Sequence, residues 1–231
     1  MTSDLRLLLF DVDGTLILGR RGNRRWFGDS LVEVFGAAGD IDGHSFSGKI
    51  DPQIVTELLT GAGVEPAVIE AGIPQVKVAY LRRLRENLTP DHLRLLPYVV
   101  ELLERLQARQ EVTLGLLTGN WEAGARTKLD CFDLNRFFAF GAFSDGHRER
   151  AELPPVALAK ATASTGYPFT AAETLIVGDS VLDVDCARQH GMRSLAVATG
   201  YTSRADLEAA GADWTVADLG EAYRVDPVFR R

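Results

Sequence analysis

Acidic side chains directly follow an apolar run near the start of the chain, where residues 7–16 read Leu-Leu-Leu-Phe-Asp-Val-Asp-Gly-Thr-Leu. Asp11 and Asp13 are one residue apart, so both can reach one substrate oxygen, the first as a nucleophile and the second as a general acid and base. Like charges at this spacing repel, and a divalent cation such as Mg²⁺ would keep the nucleophile ionised. Gly14 permits a tight turn whose backbone N–H groups can face an anion.

A second apolar run, over residues 112–117, ends in Thr118, Gly119 and Asn120. A hydroxyl donor beside backbone amides suits a charge-dense group in transfer. The alternative is structural, because Thr118 or Asn120 can cap a helix that begins near Trp121.

A third apolar run, over residues 174–178, is followed by Asp179, Ser180 and Asp183. Asp179 and Asp183 are four residues apart and share one face at the start of a helix. One of them can therefore bind a metal ion while the other orients a metal-bound water or supports the site. Ser180 and Asp179 also suit a helix N-cap, and this capping role does not exclude metal binding.

Together these segments resemble the haloacid dehalogenase superfamily, most of whose members are Mg²⁺-dependent phosphatases that pass through an aspartyl-phosphate. Residues 11–16 match the first motif of that family, Thr118 the second and residues 178–183 the fourth. The resemblance implies that Asp11 attacks phosphorus, and that Asp13 protonates the leaving oxygen and then activates water. Carbon–halogen cleavage is disfavoured, because it needs neither an acid at Asp13 nor a metal ion.

The same resemblance assigns residues to the metal ion and to the substrate. The Mg²⁺ ligands that it implies are Asp11, Asp13 through its backbone carbonyl, Asp179 and Asp183. The substrate-binding residues that it implies, besides Thr118, are Gly14, Thr15, Gly119, Asn120 and Lys49.

The third motif of the family is a Lys or Arg that braces the nucleophile and the phosphoryl oxygens, often followed by Pro. No Lys-Pro stands in the window His147-Arg-Glu-Arg-Ala-Glu-Leu-Pro-Pro155. Arg150 is the best positional match, and an arginine fork can grip both partners. Arg148 and Lys160 are the alternatives, although Lys160 sits well inside a helical pattern that directs it to solvent.

The apolar runs alternate with helical segments, which is typical of a parallel sheet built from βαβ units. We therefore expect an α/β fold with a Rossmann-like core, whose strand ends bring the three motifs to one edge. The expected strands are Leu5–Phe10, Val112–Leu117, Phe137–Phe140, Thr174–Val177, Ser194–Ala198 and Trp214–Val216. Expected helices span Tyr98–Arg109 and follow Trp121, Pro155, Val181 and Ser203.

About 100 residues separate Asp13 from Thr118, far more than one crossover helix needs. From roughly residue 29 to residue 87 the pattern is helical, punctuated by Gly61, Gly63, Pro66, Gly72 and Pro74. This predicts an inserted, all-helical cap domain over 19–94, with a core domain formed by 1–18 and 95–231. Hinges are expected near residues 18–22 and 90–97.

Within the expected cap, residues 46–52 read Phe-Ser-Gly-Lys-Ile-Asp-Pro and resemble the Gly-Lys/Arg-Thr-Asp loop of phosphoglycolate-phosphatase-like members, with Ile50 in place of Thr. Lys49 would then reach the distal anionic group of the substrate. The alternative is a turn in which Asp51 caps the helix that starts at Pro52. The implied substrate is phosphoglycolate or a similar phosphomonoester. A phosphotransferase such as a sugar-phosphate mutase, or a non-catalytic binding protein, remains an alternative.

Composition restricts the partners. The chain has 231 residues and a net charge of −7, with a pI near 5.2, which disfavours nucleic acid or an anionic membrane surface. Two cysteines without metal-ligand spacing fit a reducing cytoplasm, and no run is long enough to span a membrane. We expect a monomer or a weak homodimer.

A cluster of arginines follows the first motif. Such a cluster is typical of a solvated face, and its closeness to Asp13 leaves open a role in attracting phosphate esters. The cluster consists of Arg20, Arg21, Arg24 and Arg25, and among the histidines only His44 lies near the Lys49 loop.

Overall fold

The structure is a computed structural model that describes residues 5–20, 23–225 and 227–229. Numbered in chain order, the strands are β1 Arg6–Phe10, β2 Ile17–Gly19, β3 Leu93–Leu95, β4 Val112–Leu117, β5 Gly141–Ala142, β6 Thr174–Gly178, β7 Arg193–Val197 and β8 Trp214–Val216. The α-helices are α1 Asn23–Phe35, α2 Asp51–Gly61, α3 Pro66–Asn87, α4 Val99–Gln107, α5 Glu122–Asp130, α6 Leu153–Thr165, α7 Val181–Gln189 and α8 Arg204–Ala209.

Strand β1 is central in a parallel sheet with the order β5-β4-β1-β6-β7-β8. Leu7, Leu8 and Leu9 have no exposed surface, as expected for a strand covered on both faces. The chain passes from β1 to β4 on one side and later to β6 on the other side. The strand order therefore reverses at β1, and a crevice forms at the carboxyl ends of these strands. The predicted α/β fold with a Rossmann-like parallel sheet is confirmed.

Two local predictions are wrong. The strand expected over 137–140 is not formed, because residues 134–137 form a 3₁₀ turn and the edge strand β5 is only Gly141–Ala142. Phe137 and Phe138 are buried as part of this turn, so their apolar run reflects core packing. Gly72 and Pro74 do not interrupt a helix, since both lie within the 22 residues of α3. A Cβ at Gly72 would overlap the ring of Phe35, so the glycine allows α1 and α3 to approach closely.

Helices α1 to α3 surround an apolar cluster of their own, which includes Phe27, Leu31, Val55 and Val76. Trp121, at the start of α5, inserts into this cluster and stacks on Phe27 with 6.2 Å between ring centroids. The helical segment therefore packs directly on the edge of the core that carries the second motif.

An antiparallel ribbon of β2 and β3 joins both ends of the helical segment to the core. This ribbon was not expected, and it lies at the positions proposed as hinges. Residues 21 and 22, at the first of these hinges, lie outside the described part of the chain. The division into a core domain and a cap domain at these boundaries stays a prediction.

Asp51 ties the helical segment to the core. Its backbone N–H donates to the carbonyl of Gly119 at 2.7 Å, and its carboxylate accepts from the backbone N–H of Trp121 at 2.8 Å. The alternative in which Asp51 caps its own helix is wrong, because Ile50 occupies the N-cap of α2 and makes no side-chain cap. The carboxylate caps α5 of the core instead.

Replacement of Asp51 by asparagine is expected to flatten the pH dependence of stability. Burial raises the pKa of Asp51 from 3.8 to about 7, so the folded protein binds this proton more tightly than the unfolded chain. Stability must then fall as pH rises between these two values. Between about pH 4.5 and about pH 7, the original protein should lose about 2–3 kcal/mol of unfolding free energy through this carboxyl. Asp51→Asn should not show this loss.

Denaturant titrations at the two pH values, without divalent cations, measure this difference. Asp29→Asn on α1, where Asp29 is half-exposed and pairs with Arg25, is the control and should follow the original protein. Parallel pH profiles for Asp51→Asn and the original protein would contradict the prediction.

Candidate active site

The carboxyl ends of three neighbouring strands bring the predicted motifs together. Asp11 follows β1, Thr118 follows β4 and Asp179 follows β6. Asp11 and Asp179 are 4% and 3% exposed, and Asp183 on the first turn of α7 is 2% exposed. One carboxylate oxygen of each of these three aspartates lies within 4.8 Å of the others. The structure thus forms the acidic cluster that the sequence predicted.

Arg150 is the cation of this cluster. It lies on a 3₁₀ turn before α6, is buried, pairs with the carboxylate of Asp183 and lies 3.4 Å from a carboxylate oxygen of Asp11. Both of these contacts use Nη2, and Nη1 donates to the carbonyl of Gly48 at 2.9 Å. Its Nε is buried and has no hydrogen-bond partner among the residues that the structure describes. Arg150 therefore lies beside Asp11, where the family resemblance led us to expect it.

The two alternatives to Arg150 lie elsewhere. Arg148 forms an exposed ion pair with Glu70 on α3. Lys160 is exposed, as expected, and its ammonium donates to the carbonyl of Gly141 at 2.8 Å. Neither side chain contacts Asp11 in the structure.

Burial dominates the electrostatics of the cluster. It raises the pKa of Asp11 to about 6, against the opposing effect of the Arg150 guanidinium. Burial and the neighbouring carboxylates of Asp11 and Asp183 also hold the pKa of Asp179 well above its usual value. Three carboxylates face one guanidinium, so the cluster contains more acidic groups than Arg150 alone can neutralise.

The surroundings of Asp179 fit a small, hard cation. A Cβ on Gly14 or Gly200 would overlap its carboxylate, so glycine backbone encloses this group on two sides. Thr15 donates its hydroxyl to Asp179 at 3.4 Å. Mg²⁺ prefers oxygen ligands, and the close carboxylate oxygens of Asp11, Asp179 and Asp183 suit it.

The carboxylate of Asp13 is not part of this cluster. Its carboxylate accepts from Asn120 Nδ2 at 2.8 Å and from Lys128 Nζ at 2.6 Å. The carboxylate is therefore turned to the side of α5, away from the other three aspartates. The predicted role of the Asp13 backbone carbonyl as a metal ligand stays a prediction.

The loop of Thr118 to Asn120 does not cap α5. Asn120 Nδ2 donates to the buried hydroxyl oxygen of Thr118 at 2.8 Å. The first N–H groups of the helix are satisfied by Asp51 and by Asp145, which accepts from Glu122 at 2.7 Å. The capping alternative for Thr118 and Asn120 is therefore wrong, and both side chains line the cleft instead.

Lys128 is a site residue that the sequence analysis missed. Besides Asp13, its ammonium contacts Asn120 Oδ1 at 2.7 Å, and its side chain is only 12% exposed. A usable signal was present in α5, because Lys128 shares a helix face with the buried residues Gly124 and Ala125, four and three residues before it. A lysine on the buried face of a helix requires a partner.

A cleft of about 840 Å³ extends from Asp11 and Thr118 to the helical segment. Lys49 lines it, but its ammonium pairs with Glu57 and lies 3.4 Å from His44 Nε2. Gly119 lies directly under this loop, because a Cβ there would overlap the carbonyl oxygen of Lys49. The helical segment thus closes over the second motif, while a contact between Lys49 and substrate stays a prediction.

The arginine cluster also borders this cleft. Arg24 donates to the carbonyl of His44 at 2.9 Å and lies 4.6 Å from the ring centroid of Phe46. Arg20 donates to the carbonyl of Leu93 at 3.3 Å, and Arg25 is 82% exposed. Arg21 lies outside the described residues.

The sequence over residues 8–197 matches the model of the haloacid dehalogenase-like hydrolase family. The chain belongs to this family. The match runs from β1 through β7 and includes each motif of the acidic cluster. The predicted resemblance to haloacid dehalogenase-like hydrolases is confirmed, and with it the prediction that the chain is a hydrolase.

Other haloacid dehalogenase-like hydrolases resemble the chain along nearly its full length. A phosphoglycolate phosphatase of Chromobacterium violaceum is 29% identical and covers 95% of each chain. A phosphoglycolate phosphatase of Synechococcus elongatus is 28% identical over 94% of this chain and 97% of that protein. CbbY from Rhodobacter sphaeroides, crystallised with phosphate, shares the fold with a TM-score of 0.68 at 19% identity, covering 94% of this chain and 96% of its own. Across the described residues, no helix is long and apolar enough to cross a membrane.

Addition of Mg²⁺ is expected to raise the melting temperature of this haloacid dehalogenase-like hydrolase by about 5–10 °C at roughly 100-fold excess over the dissociation constant. The reason is that a bound cation relieves repulsion among buried carboxylates. Differential scanning fluorimetry should show a much smaller shift for Asp179→Asn. Asp185→Asn, on the same helix but paired with Arg188, is the control and should keep the full shift. Equal shifts in both variants would contradict this cation site.

Proposed function

We propose that the chain is a Mg²⁺-dependent phosphatase that hydrolyses a small phosphomonoester, phosphoglycolate or a similar compound, through an aspartyl-phosphate on Asp11. The observation that carries this proposal is the buried cluster of Asp11, Asp179 and Asp183 around Arg150. The excess of carboxylates in this cluster favours a cation, and the cation together with Arg150 would favour an incoming phosphate group. The two phosphoglycolate phosphatases that resemble the chain over most of its length support the same class of substrate.

In the first step, a carboxylate oxygen of Asp11 attacks phosphorus and the bond from phosphorus to the leaving oxygen breaks. Asp13 gives its proton to that oxygen, so that an alcohol leaves. In the second step, Asp13 takes a proton from water, the water oxygen attacks phosphorus, and Asp11 is released with inorganic phosphate. The two steps together restore the proton of Asp13.

The remaining residues hold charge and geometry in place. Arg150 keeps Asp11 ionised and, with the hydroxyl of Thr118, binds phosphoryl oxygens. The residues that would hold Mg²⁺ are Asp11, Asp13 through its backbone carbonyl, Asp179 and Asp183, and the ion would supply positive charge to the phosphoryl group. The backbone around Gly14, Thr15, Gly119 and Asn120 surrounds the same oxygens.

The helical segment acts as the cap in this proposal. Its loop around Gly48 and Lys49 contacts both Arg150 and Gly119. A cap in this position controls the access of water and the exit of the alcohol, and its side chains select the substrate. A monomer or weak homodimer in the cytoplasm is the setting that we expect.

Phosphate release from a panel of phosphorylated metabolites, with Mg²⁺ and with a chelator, tests the proposal. We expect turnover of small phosphomonoesters that stops when the metal ion is removed. An isomerised sugar phosphate without released phosphate would indicate a mutase. A lack of reaction with every ester would overturn the phosphatase and favour a binding protein.

A further inference from the structure

Lys128 is a buried cation that the proposed chemistry does not use. It lies on α5, 115 residues after Asp13 in the chain, and its side chain is 12% exposed. Its ammonium forms an ion pair with the Asp13 carboxylate. Tyr80 and Asp51 of the helical segment also interact with this ammonium.

The ammonium completes a closed ring of hydrogen bonds. Lys128 donates to Asp13 Oδ2 at 2.6 Å and to Asn120 Oδ1 at 2.7 Å. Asn120 in turn donates through Nδ2 to the same Asp13 Oδ2 at 2.8 Å and to the Thr118 hydroxyl oxygen at 2.8 Å. The amide of Asn120 can satisfy its neighbours in only one orientation, because its oxygen faces the ammonium donor and its nitrogen faces two acceptor oxygens.

Both donors use one oxygen of Asp13. A carboxylate oxygen has two lone pairs, so two hydrogen bonds occupy Oδ2. Within the described part of the chain, Oδ1 of Asp13 accepts no hydrogen bond, and the carboxylate as a whole is 41% exposed toward the cleft. The oxygen left for a proton, and for a substrate, is therefore Oδ1.

We propose that Lys128 is a positioning residue that, through Asn120 and directly, fixes Asp13 so that Oδ1 delivers its proton to the leaving oxygen. This inference rests on the proposed phosphatase function. As the bond between phosphorus and the leaving oxygen breaks, its electron pair goes to that oxygen, which takes the proton from Oδ1 while Asp11 forms its bond to phosphorus. Without Lys128 the carboxylate can rotate, and the proton is no longer held in line with the leaving oxygen.

The consequence depends on the leaving group. An alkoxide is a strong base and must be protonated as it leaves, whereas 4-nitrophenolate is stable as an anion and leaves without a proton. Loss of Lys128 should therefore lower kcat/KM for an alkyl phosphate much more than for 4-nitrophenyl phosphate, because kcat/KM covers the step in which the leaving oxygen departs. A merely structural role would lower kcat/KM equally for both esters.

The experiment measures kcat and KM of Lys128→Met and Lys128→Arg with both esters in the presence of Mg²⁺. We expect Lys128→Met to lower kcat/KM, which reports the steps through release of the leaving group, about 100-fold for the alkyl phosphate and by less than about 5-fold for 4-nitrophenyl phosphate. Lys128→Arg, which keeps the charge and the donors, should recover part of the loss. Lys77→Met is the matched control, because Lys77 forms a similar ion pair with Asp145 outside the cleft and should affect both esters alike.

An equal loss of kcat/KM with both esters, or no loss with either, would overturn the positioning role. If Lys128→Met does not fold, Lys128→Gln replaces it, since glutamine keeps a donor without the charge. Failure of the proposed function is distinct from these outcomes, because the unmodified protein itself would then release no phosphate from either ester.

Discussion

Replacement of Asp11 by asparagine is expected to lower the rate of phosphate release by at least about 1,000-fold. An amide is a poor nucleophile and cannot form the acyl phosphate. The substitution changes the volume of the side chain very little and leaves Arg150 beside Asp183. The loss should therefore appear in kcat for every ester of the panel, including 4-nitrophenyl phosphate, because the nucleophile is needed whatever the leaving group.

The fold of this variant should be at least as stable as that of the original protein. Burial raises the pKa of Asp11 to about 6, which means that its ionised form is disfavoured in the folded state at neutral pH. A neutral amide removes this cost. Thermal unfolding without divalent cations measures the effect, and Asp185→Asn serves as the control for both stability and activity. Activity above about a tenth of the original rate in Asp11→Asn would rule out the aspartyl nucleophile.

Removal of the Arg150 guanidinium is expected to affect stability as well as activity. Arg150→Met leaves Asp11, Asp179 and Asp183 buried without their cation, and breaking a buried ion pair of this kind costs about 3–5 kcal/mol. The variant also loses the hydrogen bond to Gly48, which joins the helical segment to the core. Denaturant titration should show the loss of stability, and the phosphate-release assay should show almost no turnover.

Mg²⁺ should restore part of the stability of Arg150→Met, since the cation replaces missing positive charge at the carboxylates. Arg148→Met is the matched control, because Arg148 is two residues away and forms an exposed ion pair with Glu70. Such a pair contributes at most about 1 kcal/mol. If both variants lost the same small amount of stability, Arg150 would not be the cation that holds the acidic cluster together.

The pattern of apolar runs and following polar residues was sufficient to predict the sheet and the cluster at its edge. A strand with no exposed side chain, such as β1, must be apolar throughout, and its carboxyl end must lie beside those of β4 and β6. Asp11, Thr118 and Asp179 therefore come together whatever the details of the loops. Arg150 was identified through the family resemblance, as the best positional match to the third motif before the helix that begins near Pro154 and Pro155.

Apolar runs predicted strands less well where the buried side chains lie in turns or loops. The run around Phe138 packs in a 3₁₀ turn and an edge loop, and its composition is the same as that of a buried strand. Pro74 lies within α3 although proline usually ends a helix, because the tertiary packing of α3 on α1 and α2 outweighs the local preference. Local sequence cannot report this packing.

The sequence by itself determined the fold class and the acidic cluster, because both depend on apolar strands and on residues at or near strand ends that a parallel sheet must align. The family resemblance pointed to Arg150 as the cation of that cluster. Only the tertiary structure decided the partners of Asp51 and Asp13. Asp51 caps a helix 70 residues away, and Asp13 is held by Lys128, 115 residues away. These partners meet because α2 and α5 both pack against the second motif. The packing of Trp121 in the helical segment holds the two helices in this position.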